Sequence, residues 1–208
     1  MRFILFFLTF LFSSQSTDLL LDMYTVNNWK LVEILDDKNI YQANSKIYND
    51  KYIKIEQQVF IKDVDILSTI ESVSNYNSVL SNNNINTELL FNSGDTLFVL
   101  QTITNAIPFT RDRKYIFKLY RVSQNRIDWF MINKGNPILK DYINDAEHIL
   151  SFGAGSWEIK QKGDKKVLIY RMYLDDEVSL PLIFIQKLRR NHAVDIFNDV
   201  LTFSQGEK

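Results

Sequence analysis

Arg189 and His192 are the charged and titratable residues whose places say most. They lie in a C-terminal segment where Leu182, Ile185, Leu188, Ile196, Val200 and Phe203 share one broad arc at helical spacing. Arg189 falls inside that arc and His192 at its edge. A buried guanidinium needs a partner, because an unpaired buried charge is costly. A ligand carboxylate or phosphate would fill that need, and so would Asp112 or another acid of the chain. Arg111-Asp112 reads as a structural ion pair at a strand start, and alternation lets Arg171 point to either face of its strand. The two histidines, His148 and His192, have no neighbouring histidine at metal-ligand spacing, so no metal is expected. There is no cysteine, which excludes disulfides, thiolate metal sites and a cysteine nucleophile. No G-x-S-x-G, phosphate loop, dinucleotide fingerprint or H-E-x-x-H occurs. Gly153-Ala154-Gly155-Ser156 reads as a small-residue turn. No cofactor is expected, and an enzyme reading has little to stand on.

The elements that must position Arg189 and His192 follow from the pattern of the chain. The first residues stand apart. Met1-Arg2 precede an apolar run, Phe3 to Phe12, broken only by Thr9, and small residues stand at Ser14 and Ser16. This is the layout of a secretory signal peptide cleaved after Ser16, since ten residues are short of the roughly 20 that span a bilayer. The expectation is an exported, periplasmic or secreted bacterial protein with one domain from residue 17 to 208. Its 46% hydrophobic and 13% aromatic content allow a sizeable core. A net charge of −1 gives no reason to expect a nucleic-acid partner.

Leu19 to Asp36 reads as a first helix, with Leu20, Met23, Trp29 and Leu31 on its buried side, although Asn27 and Asn28 interrupt it. Two strands follow, Ile40–Tyr48 and a clearer one in which Ile53, Ile55 and Val59 alternate with Lys54, Glu56 and Gln58. Asp63 or Asp65 can cap a helix carrying Val64, Leu67, Ile70 and Val73 on one face. Strands are then expected at 88–91, 96–103, 113–121, 127–132, 149–152, 156–161 and 167–174. Asn92-Ser93-Gly94-Asp95 and Lys162-Gly163-Asp164 supply turns. Asn133 to Glu147 reads as a loop placed where it can act as a lid. Pro181 opens the final helix.

The order of helix, two strands, helix, antiparallel strands and long C-terminal helix resembles the helix-grip fold of the START-like (SRPBCC) superfamily, closest in pattern to START lipid-binding domains. Tyr76 near the end of the second helix supports the likeness, as do Pro108 with Arg111-Asp112 before a central strand. Gly155-Ser156-Trp157 with the Lys162-Gly163-Asp164 turn and Pro181 support it too. Two places depart from the pattern. Ser81 stands where many START domains carry tryptophan, and Asp175-Asp176-Glu177-Val178-Ser179 replaces a glycine-rich segment.

The resemblance implies an α+β domain in which a curved antiparallel sheet grips a long helix around a ligand cavity. It implies binding or carriage of a lipid or other hydrophobic small molecule by a monomer, with transient membrane contact. The alternatives are a cavity enzyme of the polyketide cyclase/aromatase type and a ligand-free envelope interaction module. Expected wall residues are Phe98, Leu100, Phe117, Phe130, Tyr170 and Met172 from strands, and Ile185, Leu188, Arg189, His192 and Ile196 from the helix. Which face of each strand points inward is left open, since a one-residue slip reverses it.

Overall fold

The computed structural model describes residues 14–48, 50–60, 66–72, 76–104, 112–132, 136–137, 142, 148–150, 152–175 and 181–206. In chain order the elements are α1 (Ser14–Thr25), β1 (Lys30–Leu35), β2 (Lys38–Asn44), β3 (Lys51–Val59), α2 (Ile66–Glu71) and α3 (Tyr76–Val79). Then come β4 (Ile85–Ser93), β5 (Thr96–Ile103), β6 (Arg113–Ser123), β7 (Arg126–Met131), β8 (His148–Ile149), β9 (Gly153–Lys162), β10 (Lys165–Leu174) and α4 (Leu182–Ser204). The strands form one sheet in the order β1-β2-β3-β10-β9-β7-β6-β5-β4. Its neighbours pair antiparallel, and the short β8 adds a parallel pairing to β6. The chain closes its hairpins where the backbone needs a left-handed residue: Gly94 (φ 62°), Gly163 (φ 65°) and, between β1 and β2, Asp36 (φ 51°).

Strand alternation divides the sheet into two faces. On β10, Leu168, Tyr170, Met172 and Leu174 face inward, toward a core shared with Leu67 and Ile70 of α2 and with Ala193, Phe197 and Val200 of α4. The intervening Tyr173 faces outward. There it joins Tyr52 and Ala154 under Leu19, Leu20 and Met23 of α1. The sheet is therefore covered on both sides, by α4 within and by α1 without. Polar bonds fix α1 in place. The Asp22 carboxylate accepts hydrogen bonds from the Tyr52 hydroxyl (2.5 Å), the Ser45 hydroxyl (2.9 Å) and the Lys46 N–H (2.9 Å). Burial alone would raise the Asp22 carboxyl, but these bonds outweigh it and hold the group below its ordinary value. The Tyr24 ring lies 3.5 Å from the Arg126 guanidinium and 4.9 Å from that of Arg171, while Arg126 pairs with Asp128 and Arg171 with Glu158.

The first helix differs from its expected span. It ends at Thr25, and Lys30–Leu35 is an edge strand in which Leu31 and Ile34 are exposed. Asn27 and Asn28 stop the helix, and β2 offers the following apolar residues a partner strand. The final helix also turns its buried side differently. In its first two turns Leu182, Ile183, Phe184 and Leu188 are exposed; full burial begins at Arg189 and continues through Ala193, Val194, Phe197, Val200 and Leu201. Met1–Ser13, Pro108, Arg111, the Asp63 and Asp65 caps, Val64, Val73, residues 176–179 and most of the expected lid at 133–147 lie outside the described residues. Among the described residues no helix is long and apolar enough to cross a membrane.

Candidate functional site

Between the inner face of the sheet and α4 lies a narrow cavity with about 70 Å³ of internal space. That is below the roughly 300–1,000 Å³ of sites that hold a drug-sized molecule, so a ligand of that size needs α4 or the wall side chains to give way. The sheet contributes Phe117, Trp129, Trp157, Tyr170 and Met172, and the helices contribute Ile70, Tyr76, Ile196 and Val200. Among the described residues no Asp, Glu, Lys or Arg lines it.

The walls are shaped by aromatic packing. Trp157 stacks on Tyr170 at 3.9 Å and on Phe197 at 5.9 Å, while Phe117 meets Trp129 edge-on at 6.1 Å. The position of Trp129 depends on its cross-strand partner, Gly155. A Cβ on Gly155 would fall 2.6 Å from the Trp129 ring and 2.6 Å from the Arg171 carbonyl oxygen. Only glycine admits the indole there.

The polar atoms around the cavity are few. The Tyr76 hydroxyl donates to the Ile70 carbonyl, and Gln101 donates to the Thr87 hydroxyl at 3.0 Å. The Tyr170 hydroxyl has no hydrogen-bond partner among the described residues. Burial pushes the Tyr76 and Tyr170 hydroxyls far above the usual phenol range, so both stay protonated. Burial lowers the His192 pKa; Asp195 acts against that shift and Arg113 adds to it. The imidazole is therefore neutral near pH 7. Among the described residues the cavity thus offers apolar walls, the Tyr170 hydroxyl and a neutral imidazole, and no fixed charge.

The expected wall residues separate into groups. Phe117, Tyr170, Met172, His192 and Ile196 line the cavity. Phe98 and Leu100 do not: they lie on the outer face of β5 with Ile116 and Ile132, and the inner positions there belong to Leu97, Val99, Gln101 and Ile103. Phe130 is also outward, packed beneath α1 and edge-on to Tyr120. Ile185 is half-buried near the start of α4 and does not line the cavity. Leu188 and Arg189 line a neighbouring cleft instead. Arg189 finds its acid in Asp50, at the start of β3, with Asp175 at 4.0 Å and the Tyr173 ring at 5.2 Å. Ser81 accounts for its own departure from the expected pattern. Its N–H and hydroxyl both donate to the Asp199 carboxylate of α4, at 2.8 and 2.9 Å, and so tie the end of α3 to the long helix. The other lining residues, Trp129 and Trp157 among them, were not expected as walls; inward phase on β7 and β9 would have placed both tryptophans.

No protein-family model matches the sequence, and no curated protein matches it. Solved structures do. A STAR-related lipid transfer protein from Xanthomonas axonopodis superposes with a TM-score of 0.68 at 11% identity, over 86% of this chain and 99% of that one. The fold is the START-like helix grip. Human StAR-related lipid transfer protein 5 matches this chain with a TM-score of 0.65 at 10% identity, over 91% and 93% of the two chains. The di-domain ARO/CYC protein StfQ of the steffimycin biosynthetic pathway gives 0.50 at 12% identity, over 75% of this chain and 52% of that one. START-like neighbours thus include both lipid transfer proteins and an ARO/CYC protein.

Proposed function

We propose that this chain binds or carries a lipid or another hydrophobic small molecule in the space between its sheet and α4. The observation that carries this reading is the composition of the cavity wall, which is aromatic and aliphatic and has no charged side chain among the described residues. Burying apolar ligand surface there is favourable by about 25 cal/mol per Å². A wall already lined with apolar groups limits the rearrangement that binding requires. The Tyr170 hydroxyl, held protonated by burial, is a hydrogen-bond donor that a bound molecule can use. Structural neighbours named for lipid transfer favour the same reading.

The N-terminal pattern supports export of the mature protein. Among the described side chains of α1 the buried ones are Leu19, Leu20, Asp22 and Met23, and cleavage after Ser16 keeps all four. Native mass spectrometry of protein recovered from a bacterial periplasm tests both points. The expected result is a chain beginning near residue 17 with a co-purifying apolar molecule, lost on Ile196→Glu. An apo mass that gains nothing from a broad lipid panel would defeat the binding reading, and an uncleaved chain would defeat export.

A further inference from the structure

The apolar cavity adjoins a second, polar cleft, and His192 and Leu174 line both. Water centres have about 180 Å³ in the cleft, more than in the cavity. Its wall includes Asn82, Arg113, Asn191 and Asp195 as well as Arg189. Among the described lining residues the charged groups come in both signs, Arg113 and Arg189 with Asp195, and Arg189 is already ion-paired with Asp50. The remaining polar groups are neutral hydrogen-bonders. Among them, the His192 imidazole makes no hydrogen bond with the described residues.

We infer that the ligand is an amphiphile with an uncharged hydrogen-bonding head, a hydroxyl or an amide, held at His192 while its apolar body fills the cavity. This rests on the binding reading above and adds the chemistry of the head. The argument is one of balance. A ligand carboxylate or ammonium would have to leave water and enter a cleft whose fixed charges already oppose one another, which is costly without a surplus counter-charge. A hydroxyl both donates and accepts, so it satisfies the imidazole in either tautomer. An amide does the same through its N–H and carbonyl. The boundary at Leu174 and His192 then matches the boundary in the ligand, with apolar wall on one side and hydrogen-bonding wall on the other.

The test uses the mature chain and the neutral fluorophore N-phenyl-1-naphthylamine as the occupant to be displaced. The competitors are 1-decanol, decanamide, decanoate and decylamine, which share chain length and differ in head. Decanol and decanamide are expected to displace the fluorophore at lower concentrations than either charged competitor. His192→Phe should weaken decanol by about 2- to 12-fold, the worth of one neutral hydrogen bond, and by more than it weakens the fluorophore. His192→Gln, which keeps a donor and an acceptor, should retain most of the decanol affinity. Decanoate or decylamine binding more tightly than decanol to the unaltered protein would overturn the inference while leaving the cavity reading intact, and that comparison needs no variant to fold. Failure of the fluorophore and of all four competitors to bind would overturn both.

Discussion

Replacing Arg189 with methionine should destabilise the protein far more than loss of a surface ion pair would. The side chains of Arg189 and Asp50 are 6% and 12% exposed, so each is shielded from water and relies on the other. An exposed pair contributes about 0–1 kcal/mol. Removing one partner of a buried pair costs about 3–5 kcal/mol, because the other charge stays buried without compensation. The second carboxylate, Asp175, lies 4.0 Å away and is 43% exposed, so it adds little to this sum. For a chain of this length the expected fall in melting temperature is roughly 6–20 °C, at about 2–4 °C per kcal/mol. The informative experiment is a double-mutant cycle with Asp50→Asn, followed by urea unfolding. The double variant leaves no buried charge at that site and should recover most of the loss, to within about 1–2 kcal/mol of the unaltered protein. If Arg189→Met costs under about 1 kcal/mol, or if the two single losses simply add, the pair is not the buried, mutually dependent ion pair described here.

Three further outcomes follow from particular contacts. Gly155→Ala should cost at least about 1–3 kcal/mol through overpacking and shift the tryptophan emission, since its Cβ meets the Trp129 ring and a backbone oxygen; an unchanged spectrum and melting point would contradict that geometry. His192 has its pKa lowered in the fold, so the unfolded chain binds the extra proton first. Stability should therefore decline as the pH falls below the ordinary histidine value of about 6.5, and His192→Phe should flatten that part of a pH-dependent denaturation series. Asp22 shifts the same way for a different reason, its hydrogen bonds favouring the ionised form. Asp22→Asn should cost about 1–3 kcal/mol at pH 7, and the gap to the unaltered protein should narrow as the pH drops below the carboxylate range, as followed by circular dichroism.

Much of this architecture could be read from residue patterns. The alternation in β3, β6 and β10 located the strands, the three-residue spacing of Leu67 and Ile70 located α2, and Pro181 marked the entry to α4. The need of Arg189 for an acid was legible too. Its identity was not, because Asp50 lies 139 positions away and only the closed sheet brings the two together. The inward phase of β5 and β7 was illegible for a specific reason. Phe98, Leu100 and Phe130 are as apolar as the residues opposite them, because the outer face of this sheet is also packed, partly under α1. Where both faces of a strand are covered, hydrophobicity marks burial and not direction. The exposed start of α4 was hidden likewise, since helical spacing shows which residues share a face and not what covers that face.

The outer layer has one more consequence. Leu19, Leu20 and Met23 of α1 close over Tyr52, Ala154 and Tyr173 without touching the cavity, so β3, β9 and β10 have a brace whose strength does not depend on what lies inside. The outer face of the sheet is thus braced by α1 independently of the inner face, where α4 is fully buried only from Arg189 onward and its first two turns are largely exposed. Hydrogen exchange would then show two thresholds in one domain, with the amides of β9 and β10 opening only at the global unfolding free energy and the first turns of α4 opening well below it.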